Sequence, residues 1–178
     1  MPIPKRTSLR KHLAEMDAET LREELERIVE KFPEVKKFYL ADLSGDTSGI
    51  VNAAKTSIER CFKTSTGKWR RARSSKLNAV VRDFEKISVF REDVLALLYF
   101  RLEETAPYLN HFRPSVSPLL DATVRVFEQV CGKSKDYQLD EKYQPLLQEL
   151  ISRFDDRQLR KALKAVFDAS FPENNTED

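Results

Sequence analysis

The chain has 178 residues, with 31 Lys plus Arg against 29 Asp plus Glu, 40% hydrophobic residues, two Cys and four Gly. That length suits one domain or two very small ones, and the apolar content supports a core rather than a disordered chain. No run approaches the roughly 18 uncharged apolar residues of a membrane helix, two distant cysteines make no disulfide scaffold, and no apolar run follows Pro4, Lys5 and Arg6 as a secretory signal requires. The expectation is a cytoplasmic chain without a membrane span.

Scarce Gly and no Asn-Gly turns argue against many short strands, and leave little room for the glycine-rich turns of catalytic α/β folds. The fold is therefore expected to be all-α. It is read as a single domain over residues 1–172 with about eight to ten helices, followed by a disordered acidic tail at 173–178.

In chain order, Ser8 is placed to cap a short helix carrying Leu9, Leu13 and Met16. Asp17 is the N-cap of a stronger helix, with Glu19 in its first turn. Leu21, Leu25, Ile28, Val29 and Phe32 share one face of it, opposite a charged face where Glu23–Arg27 attraction offsets Glu26–Glu30 repulsion. Pro33 opens a third helix through Leu43, burying Val35, Phe38 and Tyr39. Ser44-Gly45-Asp46 breaks the pattern, and Thr47 or Ser48 starts a helix striped with Ile50, Val51, Ala54, Ile58, Cys61 and Phe62. Residues 63–75 read as a loop. A helix over 76–87 turns Leu77, Val80, Val81 and Phe84 inward. Phe90–Ala106 is the most apolar stretch and the candidate central helix, which Pro107 ends or follows with a short turn through Phe112. Pro114 and Pro118 bracket the start of the next helix, which runs to Cys131 with Gly132 as its stop. Asp140 caps a helix to Phe154. Asp155 or Asp156 caps the last, with Leu159, Leu163, Val166 and Phe167 inward, and Pro172 stops it.

A shift of 69 positions aligns Tyr39–Phe62 with Tyr108–Cys131 without gaps. Tyr39, Leu40, Ser48, Ala53 and Glu59 meet Tyr108, Leu109, Ser117, Ala122 and Glu128. Two readings stand: a duplication with pseudo-repeats 17–87 and 88–171, or the ordinary likeness of amphipathic helices. A duplicated helical array would favour a binding surface over a site of chemistry.

The chemistry-bearing residues form no catalytic constellation. His12 and His111 have no His or Cys within ligand spacing, and Cys61 and Cys131 lie in apolar stripes without a neighbouring base. Thr66-Gly67-Lys68 fails as a phosphate loop, since Phe62 stands where a Gly is required and Trp69 follows the Lys. No catalytic residue, metal site or cofactor is indicated, and the chain is read as a non-enzyme.

Charge is the asymmetric feature. Residues 1–40 carry net +1, 41–90 net +5 and 91–178 net −4. From Arg60 to Arg82 there are basic residues and no acid. Arg60, Lys63, Lys68, Trp69, Arg70, Arg71, Arg73 and Lys76 are the candidate partner-binding residues, because clustered cations raise a local potential and the indole offers a flat apolar surface. The leading expectation is a protein-interaction module using this Trp-bearing segment. The alternative is a nucleic-acid-binding protein contacting phosphates through it, with Lys5, Arg6, Arg10 and Lys11 adding a second patch. The bland reading is a solvated linker, or a basic segment folded onto the acidic second half. Oligomeric state is not legible.

Leu9-Arg10-Lys11-His12-Leu13, then Leu21, Leu25, Phe32-Pro33-Glu34-Val35-Lys36 and Tyr39, carry a resemblance. The sequence resembles an uncharacterised bacterial family, a domain of unknown function, with an L-(K/R)-K-x-L opening. Pro33 departs from the Lys or Glu more usual in it. The resemblance implies a cytoplasmic, all-helical protein and brings no activity, cofactor or catalytic residue.

Overall fold

Residues 6–114 and 117–172 are described by the computed structural model, and among them lie nine helices and no strand. These are α1 (Arg6–Glu15), α2 (Ala18–Lys31), α3 (Pro33–Ser44), α4 (Ser48–Phe62), α5 (Ser74–Glu85), α6 (Arg91–Phe112), α7 (Pro118–Asp136), α8 (Asp140–Ser152) and α9 (Arg157–Ser170). The all-α expectation holds. The tail expected at 173–178 lies outside the described residues, as does Lys5. Packing divides the chain into two compact units, Met1–Gly45 and Asp46–Asp178.

In the first unit the local signals are obeyed. Asp17 Oδ1 accepts the Thr20 N–H at 2.8 Å and starts α2, satisfying one of the helix's orphan donors. Pro33 occupies the first turn of α3. Gly45, at φ 65°, closes α3 with its N–H on the Ala41 carbonyl, a left-handed cap that costs glycine nothing. The apolar stripe of α2 behaves differently. No α2 residue is buried, and Leu21 and Leu25 remain 37% and 41% exposed. Val35, Phe38 and Tyr39 are half-buried, leaving Ala41 as the buried residue of α3. A unit this small has too little partner surface to enclose a five-residue stripe. Arg27 pairs with Glu24 rather than Glu23, and α1 already runs at Arg6, two residues before the expected cap at Ser8.

The second unit has a real core. Leu95, Leu97, Leu98 and Leu102 of α6 are essentially inaccessible, each contributing about 1.5–3 kcal/mol by burial. Helices α4, α5 and α7 pack around α6, and α8 and α9 pack on α7. Asp156 caps α9 through Oδ1, which accepts the Leu159 N–H at 2.6 Å. Asp140 is the first residue of α8 rather than its cap, a place taken by Leu139.

Two expected helix stops fail. Pro107 lies inside α6, which runs on to Phe112. An interior proline costs about 3 kcal/mol, but Tyr108 and Leu109 beyond it are 8% and 3% exposed, and burying two such side chains offsets that cost. Gly132 lies inside α7. An interior glycine costs only about 1 kcal/mol, and beyond it Tyr137 packs against the core while the buried Ser134 hydroxyl is satisfied by the Cys131 carbonyl at 2.9 Å. The stop is supplied later, by Gln138 at φ 59°.

Candidate functional site

The segment expected as a loop is a minimal β-hairpin joining α4 to α5. The Gly67 N–H donates to the Thr64 carbonyl at 2.9 Å and the Thr64 N–H to the Lys68 carbonyl at 2.8 Å. Gly67 sits at φ 77°. This is a three-residue hairpin loop with glycine in the left-handed position. Lys63 and Trp69 pair across it, and the Arg70 N–H donates to the Phe62 carbonyl at 2.9 Å.

Helix α6 fixes the hairpin in place. Trp69 is half-buried, its ring stacked on His111 at 5.5 Å and edge-on to Tyr108 at 5.8 Å and Phe112 at 6.4 Å. Tyr108 Oη accepts the Ala72 N–H at 3.1 Å. All three α6 partners lie beyond Pro107, so continuation of the helix through that proline presents the aromatic bed on which the hairpin rests. Trp69 is therefore engaged by the protein's own side chains rather than held out to solvent.

The cations separate into two groups. Lys63 pairs with Glu104 at 3.8 Å and places its ammonium 4.7 Å from the Trp69 ring centroid, so it serves the hairpin's anchorage. Burial pushes the Glu104 carboxyl above its usual range, against the opposing pull of Lys63. Arg60, Lys68, Arg70, Arg71, Arg73 and Lys76 are exposed and form no ion pair among the described residues. The acidic second half does not neutralise them. Glu103 and Glu149 are taken by Arg153, Asp155 by Arg113 and Asp168 by Lys164.

Five of these cations (Arg60, Arg70, Arg71, Arg73, Lys76) line, with Ser57 and Cys61, a cleft of about 410 Å³ that contains no carboxylate. Arg70 Nη1 donates to the Arg60 carbonyl at 3.3 Å, holding one guanidinium against the C-terminal turn of α4, where the helix dipole favours a cation. The Cys61 thiol donates to the Ser57 carbonyl at 3.3 Å. Burial raises its pKa despite Lys76, Arg70 and Arg101, so it stays a thiol at neutral pH, the less reactive form. Cys131 is fully buried and pushed up to about 11 by burial. His12 and His111 are exposed, and no cluster of three or more metal-ligating side chains occurs among the described residues. No described helix is long and apolar enough to cross a membrane.

One cation escaped sequence reading altogether. Arg101, in the middle of the apolar helix α6, is only 3% exposed. A charged residue inside a run of leucines was the available signal, but helix periodicity alone does not say whether it faces core or solvent.

The chain matches the family of unknown function DUF6155 over residues 3–169, and it belongs to that family. No curated protein and no solved structure matches it.

Proposed function

We propose that this DUF6155 member is a non-enzymatic interaction module that binds the phosphate backbone of a nucleic acid through the hairpin cleft. The observation that carries the reading is the cleft itself, five cations around one depression without a carboxylate. Four of them are arginines, whose planar forks match phosphate oxygens two at a time. Several exposed groups of this kind on one surface suit the repeated phosphates of a polyanion and give little sequence discrimination. A Trp-anchored protein contact is less well supported, because the Trp69 ring is already packed on Tyr108, His111 and Phe112.

Fluorescence anisotropy with a labelled DNA duplex tests this. With four to six phosphates contacted, affinity should fall roughly 10²–10³-fold between 50 and 200 mM salt. Changing Arg70, Arg71 and Arg73 together to Glu should abolish binding at 50 mM. Absence of binding by the unaltered protein at 50 mM salt, or an affinity indifferent to salt, would remove the reading. Retention of binding by the triple variant would move the site elsewhere.

A further inference from the structure

Helix α5 has charged groups on two sides. Arg73 and Lys76 line the hairpin cleft, whereas Ser74, Asn78, Val81, Arg82 and Glu85, one stripe of the same helix, line a second groove. This groove lies between α5, α6 and α7 and has a volume of about 580 Å³, within the range of ligand pockets. Arg101 of α6 lines it too, as do Arg125 and Lys133 of α7.

Arg101 is the feature that calls for explanation. It is 97% buried by surface area, and its Nη1 donates to Asn78 Oδ1 at 2.8 Å. That is its one side-chain hydrogen bond among the described residues, and no carboxylate pairs with it. Burial lowers its pKa to about 10, so it remains charged at neutral pH. Withdrawing a guanidinium from bulk water without a counter-ion is unfavourable, and since no Arg101 nitrogen is both enclosed and unpartnered among the described residues, its remaining N–H donors open onto the groove it lines. Around it stand Arg82, Arg125 and Lys133, against the single carboxylate Glu85. Arg125 is exposed and forms no ion pair among the described residues, Arg82 is exposed with its Nε 3.9 Å from Asp83 Oδ1, and Lys133 is half-buried and reaches the Tyr137 hydroxyl at 3.5 Å. Val81, Leu98 and Val126 supply an apolar wall beside the charge.

We infer that the groove between α5, α6 and α7 binds a small organic phosphate, with Arg101 gripping the phosphate and the apolar wall receiving its organic part. The lining carries four cations against Glu85, and with Asp83 beside Arg82 counted as well the balance is still positive by two, which favours a dianion over a single carboxylate. The groove differs from the hairpin cleft in having a buried guanidinium as its anchor, so it suits one compact anion rather than a strand of them.

Calorimetric titration with phenyl phosphate and with inorganic phosphate, at fixed ionic strength, tests the site. Both should bind, phenyl phosphate more tightly. At a hundredfold excess over its Kd it should raise Tm by roughly 5–10 °C. Arg101→Met should weaken both probes roughly 10–100-fold without lowering the ligand-free Tm, since a methionine removes the uncompensated charge and keeps the packing. The Arg70, Arg71 and Arg73 to Glu triple variant should bind phenyl phosphate as the parent does, which separates this site from the nucleic-acid reading. Arg125→Ala changes an exposed side chain and should weaken phenyl phosphate several-fold at unchanged Tm. It carries the test if Arg101→Met does not fold. Failure of the unaltered protein to bind either probe at millimolar concentration would overturn the inference. So would unaltered affinity in Arg101→Met, or in Arg125→Ala should the former not fold, and so would loss of phenyl phosphate binding in the hairpin triple variant alone.

Discussion

The hairpin cleft and the α5–α6–α7 groove are both cationic, and they are built in opposite ways. The cleft draws its charges from one stretch, 60–76, and leaves them in water. The groove collects Arg82, Arg101, Arg125 and Lys133 from three helices and buries one of them. Exposed cations are well solvated, so the cleft stands stably empty and its attraction is screened by salt. A buried cation keeps most of its charge interaction at the same salt, and it is costly until an anion arrives. Density of charge in the sequence marks the first kind of site. Only a fold reveals the second.

The sharpest way to break this contrast is at Trp69. Trp69→Ala should cost about 2–3 kcal/mol in urea unfolding, since a half-buried indole loses its packing on three rings, and it should loosen the cleft and weaken DNA binding. Unchanged stability with lost binding would instead make Trp69 a partner-contacting residue. Tyr108→Phe removes only the hydroxyl that accepts the Ala72 N–H, and should cost about 1 kcal/mol. Gly67→Ala meets no atom within 4 Å but must hold φ 77°, so a loss of about 1 kcal/mol, confined to the hairpin turn, is expected.

The smallest effect concerns pH. Glu104 has a raised pKa in the fold, mainly from burial. Its contribution is therefore fully present below the ordinary carboxylate value and is lost as pH rises through the raised one. Glu104→Gln should leave stability at pH 7 equal or slightly higher, and flatten the dependence of Tm on pH just above 4.5. A clear drop at pH 7 would mean that the Lys63 pair outweighs burial.

Much of the fold was legible because caps are local. Asp17, Pro33, Gly45 and Asp156 act through hydrogen bonds or dihedrals within a few residues, and each marks a helix end as read. Pro107 and Gly132 were misread for one shared reason. Their local penalties are a few kcal/mol or less, and packing of Tyr108, Leu109 and Tyr137 farther along, a tertiary quantity, outweighs them. The stripe of α2 shows the reverse limit, since periodicity identifies an apolar face without saying that anything covers it. The cationic segment could be read directly, but its hairpin form depends on an aromatic bed delivered by a helix expected to have ended. Arg101 was hidden because its identity as a buried, unpaired charge exists only once α5, α6 and α7 are assembled around it.

Cys61 lines the hairpin cleft and is partly accessible, whereas Cys131 is fully buried, which makes alkylation a local probe of occupancy. With a DNA duplex at 50 mM salt, alkylation of Cys61 should slow several-fold, recover at 200 mM salt, and be insensitive to duplex in the Arg70, Arg71 and Arg73 to Glu variant. DNA binding that leaves Cys61 as reactive as in the free protein would contradict the assignment of the cleft.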